Sequence, residues 1–322
     1  MRQIVTSDVG GTHARFALAT IDAGRVVALD RPLTLKTADH ASFQMAWESF
    51  GRHVGARLPR EVAIAFAGPV VGETLKLTNN PWMIRPDQLA ATLGVDRHLI
   101  VNDFGAVAHA VAALDASSFS HLCGSDRPLP DVGMVTIVGP GTGLGVAALL
   151  KRPDGYDVIE TEGGHVDYAP LDPLEDQILA HLRTNFRRVS VERLVAGAGL
   201  ANIFAALAAI EQLPMHFHDD KALWAAALNA DDSLAAAALE RFCLIFGAVA
   251  GDLALAHGAH AVVIAGGLGL RLKDYLPRSG FAGRFADKGR FERRMEDIPV
   301  KIVTYREPGL FGAAAAFAKT NS

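Results

Sequence analysis

Glycine turns enclosed by apolar runs are the most regular pattern along this chain. Residues 4–19 read IVTSDVGGTHARFALA, and residues 134–149 read MVTIVGPGTGLGVAAL. In both stretches, β-branched and other apolar residues stand on each side of a turn that contains Gly-Thr, which is typical of a β-hairpin. The sequence therefore predicts two similar hairpins, far apart along the chain.

Periodic apolar residues outside these hairpins predict a series of helices and further strands. Helical spacing predicts helices at residues 41–57, 85–93, 104–114, 173–185, 201–209, 220–228, 233–257 and from Pro308 onward. Short apolar runs predict strands near residues 26–35 and at 61–66, 98–101, 261–265 and 300–304. The basic segment 284–294 is predicted to be a solvated loop and helix. Strands and helices that alternate in this way predict an α/β fold.

Length and composition describe a globular chain with a large core. The chain has 322 residues, of which 50% are hydrophobic and 20% are charged, enough for two domains. Its net charge of −4 and its pI near 6.3 argue against an extended nucleic-acid surface, which needs a basic field. No linker stands out, and we expect the domain boundary near residues 110–115.

Cysteines and apolar runs exclude other classes of protein. Cys123 and Cys243 form no CxxC or CxxH pair, so no structural zinc site is expected. They are expected to be reduced thiols, with a single disulfide as the alternative. The N-terminus enters a strand at once and has no signal-peptide pattern. Residues 242–270 are the most apolar stretch, but polar residues and glycines interrupt them, so we expect a buried helix, a strand and a glycine turn rather than a membrane span.

The two hairpin turns are candidate phosphate-binding sites. Gly11-Thr12 of the first aligns with Gly141-Thr142 of the second. Glycines let the backbone approach a ligand, and successive N–H groups form a concavity that binds anions. The pair is therefore predicted to hold a polyphosphate from two sides. Asp8 stands beside the first turn only, where a carboxylate is suited to Mg²⁺. The alternative is two ordinary hairpins, since neither a Rossmann nor a Walker signature is present in the first turn.

Asn102-Asp103 directly follows the predicted strand at 98–101. Ligands of open α/β folds collect at the carboxyl ends of strands, where an aspartate is positioned to accept a proton from a substrate hydroxyl. Asparagine offers both a donor and an acceptor to neighbouring hydroxyls. The alternative for Asp103 is that it caps the N-terminus of the following helix.

A second polar segment, ETEGGHVDYAP at 160–170, is a candidate sugar site. Glu162 and His165 flank a Gly-Gly pair, so both are expected to face one compact polar ligand. The alternatives are a zinc site formed with Asp167 and a structural role for His165. Glu192 lies at the apparent start of another helix, and its own sequence context favours a first-turn residue that interacts with the helix dipole.

Taken together, these motifs resemble those of bacterial glucokinases of the non-ROK type, in the hexokinase–actin–Hsp70 ATPase superfamily. The resemblance extends over essentially the whole chain. It rests on DVGGTHARFAL, TNNPW, VNDFGAVAHA, GPGTGLGVA, EGGHVDYAP, VSVERLVAGAGL, AGGLG and PGLFGAAA, in that order. The ROK-type sugar kinases carry a cysteine-rich zinc motif that this chain lacks.

The resemblance implies a two-lobed, actin-like (ribonuclease H-like) α/β fold with an interdomain cleft. It implies a small domain at 1–112, to which the C-terminal helix 306–322 returns, and a large domain at 113–305. The implied activity is ATP-dependent phosphorylation of D-glucose at its 6-hydroxyl. A cytoplasmic homodimer that uses ATP and Mg²⁺, without nucleic acid or membrane, is also implied.

The resemblance also assigns residues by motif. Asp103 matches the catalytic base, and the sugar contacts are matched by Asn102, Asp103, Glu162, His165 and Glu192. The first phosphate loop is matched by Ser7, Asp8, Val9, Gly10, Gly11 and Thr12, the second by Gly139, Gly141, Thr142 and Gly143, and the adenosine motif by Gly266 and Gly267. Asp8 also matches the acid near Mg²⁺, which it would reach through water. His13 and Glu307 depart from the family, which often has Asn at both positions. Two other functions remain open: a kinase for another hexose such as fructose or mannose, and a non-catalytic sugar sensor.

Overall fold

The computed structural model describes residues 1–77 and 80–320, and these divide into two compact units. The first unit consists of Met1–Asp115, Val158–Glu160 and Tyr305–Ser322. The second consists of Ala116–Asp157 and Thr161–Thr304. Both units combine a six-stranded sheet with helices. Thr78 and Asn79 of the TNNPW motif lie outside the described residues, as do the last two positions of the predicted 306–322 helix.

The described residues form the following elements. The strands are β1 (Arg2–Val9), β2 (His13–Asp22), β3 (Arg25–Leu29), β4 (Leu33–Lys36), β5 (Glu61–Phe66), β6 (Leu75–Lys76), β7 (Met83–Ile84), β8 (Arg97–Asn102), β9 (Phe119–Cys123), β10 (Gly133–Pro140), β11 (Leu144–Arg152), β12 (Gly155–Thr161), β13 (Ala261–Ile264) and β14 (Val300–Val303). The helices are α1 (Phe43–Val54), α2 (Pro86–Leu93), α3 (Asp103–Ala113), α4 (Pro173–Leu182), α5 (Gly199–Ile210), α6 (Asp220–Asn229), α7 (Ser233–His257), α8 (Gly266–Arg271), α9 (Phe281–Ala286), α10 (Glu292–Asp297) and α11 (Pro308–Thr320).

The sheet of the first unit brings the carboxyl ends of three parallel strands to one edge. Its order is β3-β2-β1-β5-β8, and β4 also pairs with β2. Strands β1, β5 and β8 are parallel, with Val9 opposite Phe66 and Phe66 opposite Asn102. Because parallel strands end at the same edge, the glycine turn after β1 and the Asn102-Asp103 pair after β8 lie at that edge.

Two helices of the first unit pack against each other at very short range. A Cβ on Gly312 of α11 would overlap the backbone carbonyl of Ala106 in α3. The Thr6 hydroxyl in β1 donates to the carbonyl oxygen of Leu310 at 2.7 Å. The C-terminal helix is thereby fixed to both the sheet and α3.

The second unit repeats the arrangement of a glycine hairpin beside parallel strands. Its sheet has the order β12-β11-β10-β13-β14-β9. Strands β10 and β11 form the predicted hairpin, while β10, β13 and β14 are parallel. Val138 of β10 lies opposite Ile264 of β13, so the turn after β10 and the glycines after β13 lie at one edge.

Helix α7 forms the centre of the second unit. It is long and apolar enough to cross a membrane by length and composition, but 72% of its most apolar window is buried inside the protein. The predicted buried helix is confirmed. Cys243 of α7 and Cys123 of β9 are both free thiols, so the disulfide alternative is wrong.

Most predicted elements are confirmed, with a few differences. The single strand expected near 26–35 is two strands, β3 and β4, and the sequence did not indicate β9 or β12. The basic segment 284–294 differs from the predicted solvated loop and helix: it contains the end of α9, a 3-10 turn at Gly289–Phe291 and the start of α10, and Phe285 is buried. Pro86 and Pro308 begin α2 and α11, because a first-turn residue needs no intrahelical N–H bond.

Candidate active site

The first glycine turn, Gly10-Gly11-Thr12, is fixed by the N–H group of Gly10 and by the carbonyl oxygen of Gly11. The Gly10 N–H donates to the His13 carbonyl at 3.0 Å. Gly11 O accepts from the Thr37 hydroxyl at 2.7 Å and from the Asn80 amide at 3.3 Å. Anchoring of Gly11 through its carbonyl oxygen suits a turn whose other N–H groups are to bind an anion.

Asp8 lies beside this turn with a cation and a second carboxylate. One guanidinium nitrogen of Arg15 donates to Asp8 Oδ2 at 3.1 Å, and Arg15 Nε lies 3.7 Å from Glu307 Oε2. Burial raises the pKa of Asp8 above its ordinary value, and Arg15 partly opposes that increase. Burial also raises the pKa of Glu307, and the Asp8 charge adds to this effect. Arg15 therefore balances two carboxylates that would otherwise repel each other.

Asn102 and Asp103 lie at the start of α3, and Asn102, not Asp103, caps the helix. Asn102 is the N-cap, and its Oδ1 accepts from the N–H groups of Phe104 and Gly105 at 2.9 and 3.0 Å. The Asn102 amide donates to Gly68 O at 3.1 Å. Asp103 is the first helical residue, and its Oδ1 accepts from Phe104 N–H at 2.9 Å. The alternative in which Asp103 is the N-cap is therefore wrong.

Glu160 contacts the same helix start, and sequence reasoning missed it. Its Oε1 accepts from the backbone N–H of Asn102 at 2.9 Å. A Cβ on Gly105 would overlap this carboxylate, so glycine leaves room for it. The acidic run at 160–162 was the only available signal, and it gave no indication of a partner 58 residues away.

The second glycine turn, Gly141-Thr142-Gly143, is held by a neighbouring loop of the second unit. The Gly141 N–H donates to Gly143 O, and the Gly197 N–H donates to Gly141 O, both at 2.8 Å. Trp224 Nε1 fixes that loop by donating to Gly197 O at 3.1 Å. The turn is thus supported by tertiary contacts as well as by its own hairpin.

The predicted adenosine glycines start α8 beside this second turn. Gly266 has φ +79°, and a Cβ there would lie 2.7 Å from Pro140 O, so only glycine fits without strain. A Cβ on Gly267 would meet nothing within 4 Å. The two glycines therefore differ: the first meets a backbone requirement, and the second leaves open space.

Three predicted sugar contacts come together in the second unit. His165 Nε2 lies 3.8 Å from Glu162 Oε2, and His165 Nδ1 lies 3.9 Å from Glu192 Oε1. Backbone bonds join their segments, because Val191 N–H donates to Val166 O at 3.0 Å. The His165 side chain is 55% exposed, so it does not serve as a packed core residue. This cluster presents both donors and acceptors to a ligand.

Glu192 does not lie at the start of an α-helix. It lies in a 3-10 turn at Val191–Arg193, whereas α5 begins only at Gly199. Its Oε2 accepts from the backbone N–H of Leu144 at 2.9 Å. The first-turn interpretation was wrong because the apolar run at 194–200 packs as a loop before it becomes a helix.

Among residues 1–77 and 80–320, no group of three or more His, Cys, Asp or Glu side chains is arranged to hold a metal ion. The zinc alternative for His165, Glu162 and Asp167 thus has no structural support. Asp167 instead receives a 2.6 Å hydrogen bond from Arg188 Nε.

The predicted site residues fall into two sets. Asp8, the first turn, Asn102 and Asp103 lie in the first unit; Glu162, His165, Glu192, the second turn, Gly266 and Gly267 lie in the second. The sequence model of the family described as Glucokinase matches residues 5–320. The chain belongs to the glucokinase family.

Individual glucokinases agree with this assignment over their full lengths. The glucokinase of Zymomonas mobilis is 61% identical over 320 residues, covering 99% of each chain. The crystal structure of a glucokinase from an Antarctic psychrotroph is 31% identical, covers 100% of each chain and has a TM-score of 0.85. A Balamuthia mandrillaris glucokinase solved in complex with glucose has a TM-score of 0.80 at 22% identity, covering 99% of this chain and 94% of that one.

Both the predicted family and the predicted fold are confirmed. The chain is a non-ROK bacterial glucokinase-type sequence. Its α/β units have the actin-like ATPase fold found in glucokinases and other sugar kinases. The glucokinase family therefore accounts for both glycine hairpins and for the EGGHVDYAP segment.

Proposed function

We propose that this glucokinase-family chain transfers the γ-phosphoryl group of ATP to the 6-hydroxyl of D-glucose. A bond forms between glucose O6 and the γ-phosphorus, while the bond from that phosphorus to the β–γ bridging oxygen breaks. The products are glucose 6-phosphate and ADP. Such transfers depend mainly on positioning and on charge neutralisation.

The position of Asp103 carries this proposal. It is the first residue of α3, and Asn102 already caps the helix. The Asp103 carboxylate is therefore not required as the cap, and we assign it the role of general base for the 6-hydroxyl. It accepts that proton as the O6–phosphorus bond forms and later releases it to water.

The remaining sugar contacts are assigned by their chemistry. Glu162 and Glu192 accept hydrogen bonds from sugar hydroxyls, and His165 donates or accepts according to its tautomer. The Asn102 amide has two N–H groups, of which one donates to Gly68 O. Its second N–H is assigned to a sugar hydroxyl.

The two glycine turns are assigned to the phosphates of ATP, and Gly266 with Gly267 to its adenosine. Asp8 fits a role beside Mg²⁺, because Gly309 keeps room next to its carboxylate: a Cβ there would lie 3.2 Å from Asp8 Cγ. Mg²⁺ usually keeps several waters and binds through one or two carboxylates plus phosphate oxygens. Asp8 would hold the ion through water, and the ion would neutralise phosphate charge.

An Asp103→Asn variant tests the proposal. We expect calorimetric glucose binding to remain, while ADP release in a coupled assay falls by about 10²–10⁴-fold, the usual contribution of a general base. Asp220→Asn is a matched control, because Asp220 is the first residue of α6 and follows its own N-cap, Asp219. Turnover of Asp103→Asn at the parent rate would exclude Asp103 as the base.

A panel of sugars with the parent protein distinguishes the two other functions. Faster turnover of fructose or mannose than of glucose would favour the other-hexose kinase. Sugar binding without any ATP consumption would favour the sensor. A cytoplasmic homodimer belongs to the same proposal, on the basis of the family resemblance alone.

A further inference from the structure

Leu144 connects the second glycine turn to the sugar cluster. It is the first residue after that turn and the first of β11. Its N–H donates to Glu192 Oε2 at 2.9 Å, while the other carboxylate oxygen, Oε1, lies 3.9 Å from His165 Nδ1. One rigid carboxylate group thus contacts the backbone of the phosphate hairpin with one oxygen and faces the sugar cluster with the other.

Glycines keep this contact free of intervening side chains. A Cβ on Gly143 would overlap Glu192 Oε2, and a Cβ on Gly164 would overlap the carbonyl oxygen of Leu144. Neither glycine has a positive φ that would explain its presence by backbone conformation. Leu144 is therefore approached on its N–H side by Glu192 and on its carbonyl side by the segment that carries His165.

The bond between Glu192 and Leu144 is well suited to transmit a displacement. A carboxylate binds an N–H group more strongly than a neutral acceptor does. The Glu192 side chain is only 28% exposed, so solvent screens the contact less than it would at the surface. A shift of the turn therefore moves the carboxylate, and a shift of the carboxylate moves the turn.

We propose that Glu192 is a positioning residue that couples glucose binding to the conformation of the second glycine turn. This inference rests on the proposed function, because it takes His165 and Glu192 as glucose contacts and the turn as a phosphate site. Glucose fixes the carboxylate, and the carboxylate fixes Leu144 and the turn before ATP binds. Because binding free energies are reciprocal, the turn's conformation also sets the affinity for glucose.

Gly143→Ala in the full chain tests the coupling from the turn side. The added methyl group would meet the end of a flexible side chain, so the variant is expected to fold while its Glu192 carboxylate moves away. We expect the glucose Kd, measured by calorimetry without nucleotide, to rise about tenfold, equivalent to ~1.4 kcal/mol. Gly283→Ala is the control outside the proposed site, in α9 of the second unit: its Cβ would meet nothing within 4 Å. Its glucose Kd is expected to stay within about twofold of the parent value.

A double-mutant cycle identifies the residue through which the methyl group acts. In an E192A background, Gly143→Ala is expected to change the glucose Kd by less than about twofold, because the carboxylate that it displaces is gone. An undiminished tenfold effect in that background would overturn the proposal. So would a parent-like glucose Kd for Gly143→Ala itself.

Hydrogen exchange of the unmodified protein gives a readout that needs no variant. Without nucleotide, saturating glucose is expected to slow amide exchange at Leu144, because its N–H partner becomes fixed. Unchanged exchange at this amide in glucose-saturated protein would also overturn the coupling. Failure of the proposed function would look different, since the parent would then either bind no glucose or bind it without transferring phosphate from ATP.

Discussion

At the residue scale, two glutamates use their carboxylates to fix backbone N–H groups at the proposed site. Glu160 accepts from Asn102 in the first unit, and Glu192 accepts from Leu144 in the second. In both cases a glycine makes room for the carboxylate, Gly105 in one and Gly143 in the other. The proposed site thus depends on acidic residues that position the backbone as well as on those assigned to the sugar.

Glu160 provides a prediction at this scale. Glu160→Ala removes the acceptor for the Asn102 N–H, and a lost hydrogen bond of this kind is worth about 0.5–1.5 kcal/mol. We expect kcat to fall by up to about tenfold, because Asp103 follows directly on Asn102. Glu160→Gln keeps an acceptor oxygen and should retain most of the parent kcat. Equal rates for the alanine and glutamine variants would refute this role.

The sequence revealed the residues whose chemistry follows from local position. Asp8 and the Asn102-Asp103 pair were predicted because each lies at or directly after the end of an apolar strand. The carboxylate contacts of Glu160 and Glu192 could not be predicted, because their partners are 58 and 48 residues away in the sequence. The N-cap was assigned to the wrong neighbour because Asn and Asp have nearly equal capping preference.

At the element scale, helix α3, which begins with Asp103, packs closely against helix α11. Gly312 allows α11 to touch the backbone of α3, so the helix that begins with Asp103 is held against the C-terminal helix. His109 lies in α3, and Lys319 lies in α11. Burial, with a smaller contribution from Lys319, lowers the pKa of His109 to about 4.

A pH dependence follows from His109. In the unfolded chain a histidine titrates near ~6.5, whereas the folded chain keeps His109 neutral down to about 4. Between these values the unfolded state binds the extra proton, so this residue lowers the free energy of unfolding as pH falls. His109→Gln is expected to reduce that loss by about 2 kcal/mol between pH 6.5 and 4. Denaturant titrations across this range measure it, with His53→Gln on the exposed face of α1 as the control. Parallel profiles for parent and His109→Gln would rule out the effect.

Element prediction from sequence depended on length and on apolar pattern. The 25-residue α7 and the strand β5 were predicted with their observed bounds, because each is a largely apolar run: α7 lies between its caps Asp232 and Gly258, and β5 has five consecutive buried residues. Strand β9 was missed because it is short and only Leu122 of its five residues is buried. Pairing with β14 at the edge of the sheet makes it a strand, and that partner is distant in sequence.

At the scale of the whole molecule, each unit has its own apolar core and its own set of proposed glucose contacts. A ligand that binds only the folded state stabilises it by RT ln(1 + [L]/Kd), about 2.7 kcal/mol at a hundredfold excess over Kd. We expect D-glucose to raise the free energy of unfolding, measured by calorimetry, by that amount, and L-glucose to leave it unchanged. Equal shifts with the two enantiomers, or no shift with D-glucose, would contradict the assignment of these residues to D-glucose.

Helix α11 has a further consequence for how the protein is made. The first unit takes its sheet from the start of the chain but one of its main packing helices from residues 308–320. During translation, the early sheet therefore emerges from the ribosome with the face that α11 will cover still bare, and it must wait for nearly the entire polypeptide. The second unit, whose residues lie between these pieces, is complete sooner. Synthesis thus favours an order in which the middle of the chain folds first and the unit that contains Asp103 closes last.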